Sequence, residues 1–148
     1  MSKINLLILF TVISNMFIFV GFGHIFSPIA MAELMYLAEA LDGRFTFSLS
    51  GDYESRLPGA ALSALLGQVI LLISGFLDRR IKNYFIYFGL AILFFSFLFL
   101  NVSFLPLGFT GFLILFNVPF IVASIMLLVF TIKTSKKVEN GEVKGTKQ

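Results

Sequence analysis

The sequence predicts an all-α integral membrane protein, a bundle of four transmembrane helices with a short amphipathic helix and a small β-hairpin in the first extracytoplasmic loop. Three observations predict it. The first is composition: of 148 residues, 58% are hydrophobic and 13% charged, and the mean hydropathy is +0.97, against roughly 45–50% apolar and about 25% charged in a soluble domain. The second is the presence of four stretches, residues 4–26, 58–77, 84–104 and 109–132, without a single Asp, Glu, Lys or Arg. Each reaches the roughly 20 residues that cross a hydrocarbon core about 30 Å thick. None alternates as a barrel strand would, and in lipid such a run satisfies its own backbone as a helix. The third is charge asymmetry. Lys3, Arg79, Arg80, Lys82, Lys133, Lys136, Lys137, Lys144 and Lys147 fall on one side of such a bundle, and Arg44 and Arg56 on the other. Basic flanks stay in the cytoplasm, so a multi-pass protein of the cell membrane is expected, with both termini cytoplasmic and residues 27–57 outside.

The first run follows Lys3 and precedes Ala30-Met31-Ala32, which imitates a signal peptide. Its apolar stretch is longer than the about 7–15 residues of a signal core, so it reads as a span. The loop that follows carries the patterned polar chemistry of the chain. Ser27 as N-cap, Pro28 in the first turn and Gly43 just past the end delimit a short helix. At 100° per residue Ala30, Leu34, Leu37, Ala38 and Leu41 share one arc, and Glu33, Tyr36, Glu39 and Asp42 take the rest. Basic amphipathic helices are the ones drawn to anionic lipid, so this acidic one is expected to cap the bundle or to meet a protein partner. The period then changes to two: Phe45, Phe47 and Leu49 alternate with Thr46, Ser48 and Ser50. Gly51-Asp52 occupies the turn position ahead of a returning Tyr53-Glu54-Ser55-Arg56. Glu33, Tyr36, Glu39, Phe45 and Phe47 are the candidate partner-contact residues.

The second span opens with Pro58 and carries Gly59, Ser63 and Gly67 with Ala60 and Ala64 alongside. Small residues four apart let helix backbones approach closely, the usual device for association in lipid. The third span is surrounded by Phe, with Ser96 its central polar residue and Tyr84 and Tyr87 placed for an interfacial belt. In the fourth, Pro119 interrupts the hydrogen-bond ladder close to Asn117. One membrane domain is therefore expected over residues 1–132, with a disordered basic tail over 133–148.

Asn15, Gln68, Ser96 and Asn117 each fall near the midpoint of a predicted span, and an uncompensated amide in hydrocarbon is costly. They are expected to share a depth and form a polar cluster, either as interhelical glue or as a small binding site reached through the Pro119 kink.

The chain has no Cys and one His, His24, which excludes disulfides, thiolate sites and multi-histidine metal centres. No cofactor motif is present, and the net charge of +3 lies at membrane edges rather than on one basic face, so nucleic acid is not an expected partner. Nucleophile motifs and phosphate-binding loops are missing. An interfacial enzyme would have to draw its base from His24 and the loop acids. The four runs hold no Asp, Glu, Lys or Arg and only one His, His24, which disfavours a proton-coupled carrier. The expectation is a small non-enzymatic membrane protein, an accessory or interaction subunit using its outer loop, with the bilayer and a membrane-protein partner or copies of itself as contacts. The alternative is an oligomeric small-molecule transporter or channel with a polar midplane site.

Overall fold

The structure, a computed structural model, describes residues 2–22, 25–46, 48, 52–101 and 110–145. Among them the order of elements is α1 (Lys3–Met16), β1 (Phe19–Phe22), β2 (Ile25–Pro28), α2 (Ile29–Leu41), α3 (Tyr53–Ser74), α4 (Arg79–Asn101) and α5 (Thr110–Gly145). Three windows, Tyr53–Ser74, Ile81–Leu100 and Asn117–Ser135, are long and apolar enough to cross a membrane.

The helix expected over residues 4–26 ends instead at Met16. Its 14 residues rise about 21 Å, short of a bilayer core. The rest of the run folds into an antiparallel hairpin that pairs Phe19 with Pro28, Val20 with Ser27, Gly21 with Phe26 and Phe22 with Ile25. The segment is rich in aromatic and β-branched residues, which suit strands, and Gly21 inside it weakens a helix by about 1 kcal/mol relative to Ala. Gly23 and His24, between Phe22 and Ile25, lie outside the described residues. At the base of the hairpin the Ile29 N–H donates to the Ile18 carbonyl at 2.7 Å, tying the start of α2 to the end of α1.

The hairpin expected over residues 45–56 is also corrected, because Tyr53–Arg56 form the first turn of α3. Asp52 is the N-cap: its carboxylate accepts from the Ser55 N–H at 3.4 Å, and the Ser55 hydroxyl donates to the Asp52 carbonyl at 2.9 Å. A carboxylate that satisfies orphan N–H groups at a helix start competes directly with a turn at the same residues. Pro58 consequently lies inside α3 rather than at its opening. Phe47 and Leu49 lie outside the described residues.

α2 ends as expected, with Gly43 at φ +71°, the left-handed conformation that closes helices most cheaply with glycine. Its buried side follows neither of the two arcs read from the sequence. Ile29, Ala32, Glu33 and Tyr36 are buried, whereas Met31, Leu34, Met35, Leu37 and Leu41 face outward. Of the acidic residues Glu33 alone is buried, Glu39 is half-buried and Asp42 is exposed.

α3 is the central element, packed by α4, α2 and α1, while α5 lies against α1 and more lightly on α4, with β1 touching α5. The buried stripe of α3 runs through Ala60, Ala64, Gly67 and Leu71. α4 crosses it closely enough that a Cβ on Gly67 would stand 3.1 Å from the Gly89 carbonyl, and one on Gly89 3.2 Å from the Gly67 carbonyl. The outward sides of α4 and α5 are apolar, with Phe88, Phe95 and Leu98 on one and Val122, Ile125, Met126 and Val129 on the other. α5 has 36 residues, about 54 Å, and carries on through Gly145 into the segment expected to be disordered. No proline follows Pro119 to stop it.

Candidate functional site

The interior polar chemistry is concentrated where α1, α2 and α3 meet. The Gln68 side-chain nitrogen Nε2 donates to Asn15 Oδ1 at 2.8 Å and to Glu33 Oε1 at 2.7 Å. Both hydrogens of that amide are thereby spent. All three residues are buried, with exposures of 1% for Asn15, 2% for Glu33 and 4% for Gln68. Asn15 arrives from the last turn of α1, just before the chain leaves the helix, and Glu33 from the inward arc of α2. The only ion pair among the described residues is Arg44 with Asp42, at the exposed end of α2, so no cation compensates Glu33. Burial pushes the Glu33 carboxyl up from its ordinary 4.5 to about 7, against the opposing effect of the Gln68 hydrogen bond. Desolvation outweighs a single amide donor here, as expected for a carboxylate that lacks the two or three donors of a well-solvated one.

Of the four residues expected to cluster at mid-depth, Asn15 and Gln68 meet and the other two stand apart. The Ser96 hydroxyl donates to the Ala60 carbonyl at 2.7 Å. Ala60 is eight residues from Gln68 along α3, which separates the two levels by about 12 Å. Asn117 lies one turn from Phe120, whose ring meets Phe94 and Phe97 on either side of Ser96 in α4. All four are buried. Asn117 Oδ1 and Ser124 Oγ, on the same side of α5, have no hydrogen-bond partner. An orphaned buried polar atom costs about 1–3 kcal/mol. Asn117→Leu is therefore expected to raise the thermal midpoint of the protein in detergent, with a gain of about 1 kcal/mol, and Ser124→Ala to leave it equal or higher; a loss of more than about 1 kcal/mol in both would show that these atoms are satisfied.

The partner-contact residues read from the loop divide in the same way. Glu33 and Tyr36 face the interior, and Phe45 is half-buried against the core. Burial raises the Tyr36 hydroxyl, with Glu39 and Glu54 adding to the effect. Glu39 stays at the surface edge of α2, and Phe47 lies outside the described residues. His24, the candidate base, lies outside them as well. Among the described residues no group of His, Asp and Glu is arranged to hold a metal ion.

No family model, curated protein or solved structure matches the chain.

Sequence reasoning missed a second polar junction at the opposite end of α1. There Asn5 Nδ2 donates to the Gly75 carbonyl at 3.3 Å, and the Lys82 ammonium donates to Asn5 Oδ1. Asn83 Nδ2 donates to Ser135 Oγ at 2.7 Å. These bonds join α1 to the α3–α4 turn and α4 to α5. The signal for Glu33 was present: it is the one charged residue between Ile25 and Ala38, set in the most apolar half of its helix. An acid in such surroundings is placed there for an interior contact more readily than for a solvated one.

Proposed function

We propose that the protein is a small, non-enzymatic integral membrane protein of the cell membrane that works as an accessory or interaction subunit, with α3, α4 and α5 crossing the bilayer. The observation that carries this reading is that most interior polar groups pair within the chain. Gln68 bonds both Asn15 and Glu33, and Ser96 bonds the Ala60 carbonyl, each between helices, while Thr11, Ser74 and Thr131 bond carbonyls of their own helices and Asn117 Oδ1 and Ser124 Oγ are left without partners. Groups spent as interhelical glue or on their own helix leave little for a substrate to bind. With Glu33 and Tyr36 turned inward, the surface offered to a partner shifts from the acidic arc of α2 to the outward apolar sides of the helices. Purification in mild detergent with mass measurement tests the assignment. The expected result is a complex heavier than the 16.5 kDa chain that contains a foreign subunit, and a monomer would overturn it. The Glu33 carboxyl favours a second reading, an oligomeric transporter or channel, to which a pure homo-oligomer with ion flux in liposomes would point.

The orientation proposed from charge bias places both termini in the cytoplasm; because α3, α4 and α5 make three crossings, it requires the residues ahead of α3 to make a fourth, which the bonds of Asn5 to Gly75 and Lys82 at the α3–α4 turn favour. Because the chain lacks Cys, Ser2→Cys, Ser50→Cys, Asn83→Cys and Thr146→Cys can be probed singly with an impermeant thiol reagent on intact cells. Reaction at position 50 alone is expected. Labelling of position 83 from outside would reverse the orientation.

A further inference from the structure

The Glu33 carboxyl is the one group of the interior that neither the packing nor the proposed role requires to be ionisable. A glutamine there would accept the same hydrogen bond from Gln68. A carboxyl differs in one respect, since it exchanges a proton. Its place in the fold makes that exchange consequential. The Glu33–Gln68 bond is a direct polar tie between α2 and α3, and the same amide holds Asn15 at the end of α1. The remaining inward residues of α2, Ile29, Ala32 and Tyr36, add a short apolar contact. The outward face, with Met31, Leu34 and Leu41 exposed, adds none within the chain. The start of α2 is held to α1 by the Ile29–Ile18 bond, and further along the helix the contact with α3 has a titratable group at its centre.

We propose that Glu33, held by Gln68 and Asn15, is a proton-binding site inside the bundle that latches α2 onto α3 when protonated and releases it when ionised. A neutral carboxyl completes the contact at little cost. An ionised one leaves a buried charge with one amide donor and no cation, and the relief is for α2 to move away until water reaches it. On α2 the buried Tyr36 lies one turn from Glu33 and Glu39 two turns toward the loop end; the other charges are farther away. α3 brings Glu54 and Arg56 at its first turn, about 20 Å along its axis from Gln68, and α1 brings Lys3 at its opposite end, about 18 Å from Asn15. Burial and the Gln68 hydrogen bond govern the titration of Glu33. The inference goes beyond the subunit reading and does not depend on it.

The test uses the full chain in lipid nanodiscs and dicyclohexylcarbodiimide, which adds to protonated carboxyls in apolar surroundings, with the modified residue identified by peptide mass. Glu33 is expected to be the principal labelled acid, with labelling that falls about ten-fold for each pH unit above its midpoint. Glu33→Gln is expected to abolish it. Absent or pH-independent labelling overturns the site, and protection by sodium or potassium at fixed pH overturns the proton in favour of a metal cation. Movement is read independently by spin labels at Leu34→Cys and Phe88→Cys, both exposed positions. A single short distance is expected at pH 5.5, with a longer component that grows at the labelling midpoint and is missing in Glu33→Gln. Unchanged distances across that range overturn the latch while leaving the labelling result to stand on its own.

Discussion

Gly67→Ile is expected to separate α4 from α3 and to cost the protein its cooperative unfolding in detergent. A Cβ at Gly67 would stand 2.8 Å from Leu93 Cδ2, 2.9 Å from Leu93 Cγ and 3.1 Å from the Gly89 carbonyl oxygen. Leu93 can turn aside; the carbonyl of a facing helix moves only if the whole crossing opens. Overpacking of a tight core costs about 1–3 kcal/mol and sometimes more, which sets the scale for Gly67→Ala. Isoleucine adds three further carbons against the same wall. In lipid no hydrophobic force between helices makes good the lost fit. Leu93→Ala placed in the Gly67→Ala background is expected to recover part of the loss, since it frees the side-chain half of the clash and leaves the backbone half. Leu66→Ala, at an exposed neighbouring position, is expected to stay within about 0.5 kcal/mol of the parent. A thermal midpoint for Gly67→Ile equal to that of the parent would mean that α3 and α4 do not meet at Gly67 and Gly89.

A packing face on α3 was legible in the sequence because its signal is steric, small residues at a four-residue spacing; Ala60, Ala64 and Gly67 are buried, Gly59 and Ser63 half-buried, and α4 with Gly89 as the facing helix was not read. The end of α2 was legible for a similar reason, since Gly43 marks a left-handed residue and adopts one. The break in the first apolar run was not. Hydropathy measures whether a segment prefers lipid to water, and Phe, Val, Ile and Gly give the same score in a helix as in a hairpin. Gly21 and Gly23 so close together, among β-branched and aromatic residues, were the local sign that the run would not stay helical.

The polar cluster failed as a group of four because its shared depth was inferred from the midpoints of spans whose limits moved. α1 stops at Met16, which leaves Asn15 in its last turn, and α3 begins at Tyr53, which places Gln68 well past its middle. The pair meets because the two helices cross there, and Ser96 is left to bond the Ala60 carbonyl on its own level. The arcs of α2 were legible only in part: Leu34, Leu37 and Leu41 share an outward side, but the buried side runs through Ile29, Ala32, Glu33 and Tyr36, with Glu39 and Asp42 left at or near the surface. Glu33 is drawn inward by its bond from Gln68.

Stability measured in detergent is expected to decline as pH rises from about 5 to about 7 and then to level off, with Glu33 responsible for the slope. The sign follows from which state holds the proton more tightly. The folded protein raises the Glu33 carboxyl from 4.5 to about 7, chiefly through burial. Below the lower value both states are protonated and the contribution is fully present. Between the two values the unfolded chain has released its proton and the folded one has not, so each step upward in pH favours unfolding. Above the folded value both are ionised and no further loss follows. At 1.36 kcal/mol per pH unit the full loss amounts to about 3 kcal/mol, an upper bound because partial opening of α2 lets water reach the charge first. Glu33→Gln is expected to flatten the curve and to match or exceed the stability of the parent above pH 8, while Glu54→Gln, at an exposed position of α3, leaves the slope in place. If Glu33→Gln retains the full slope of the parent, the titrating group lies elsewhere, and the buried junction of Asn15, Gln68 and Glu33 holds the helices together without answering to pH.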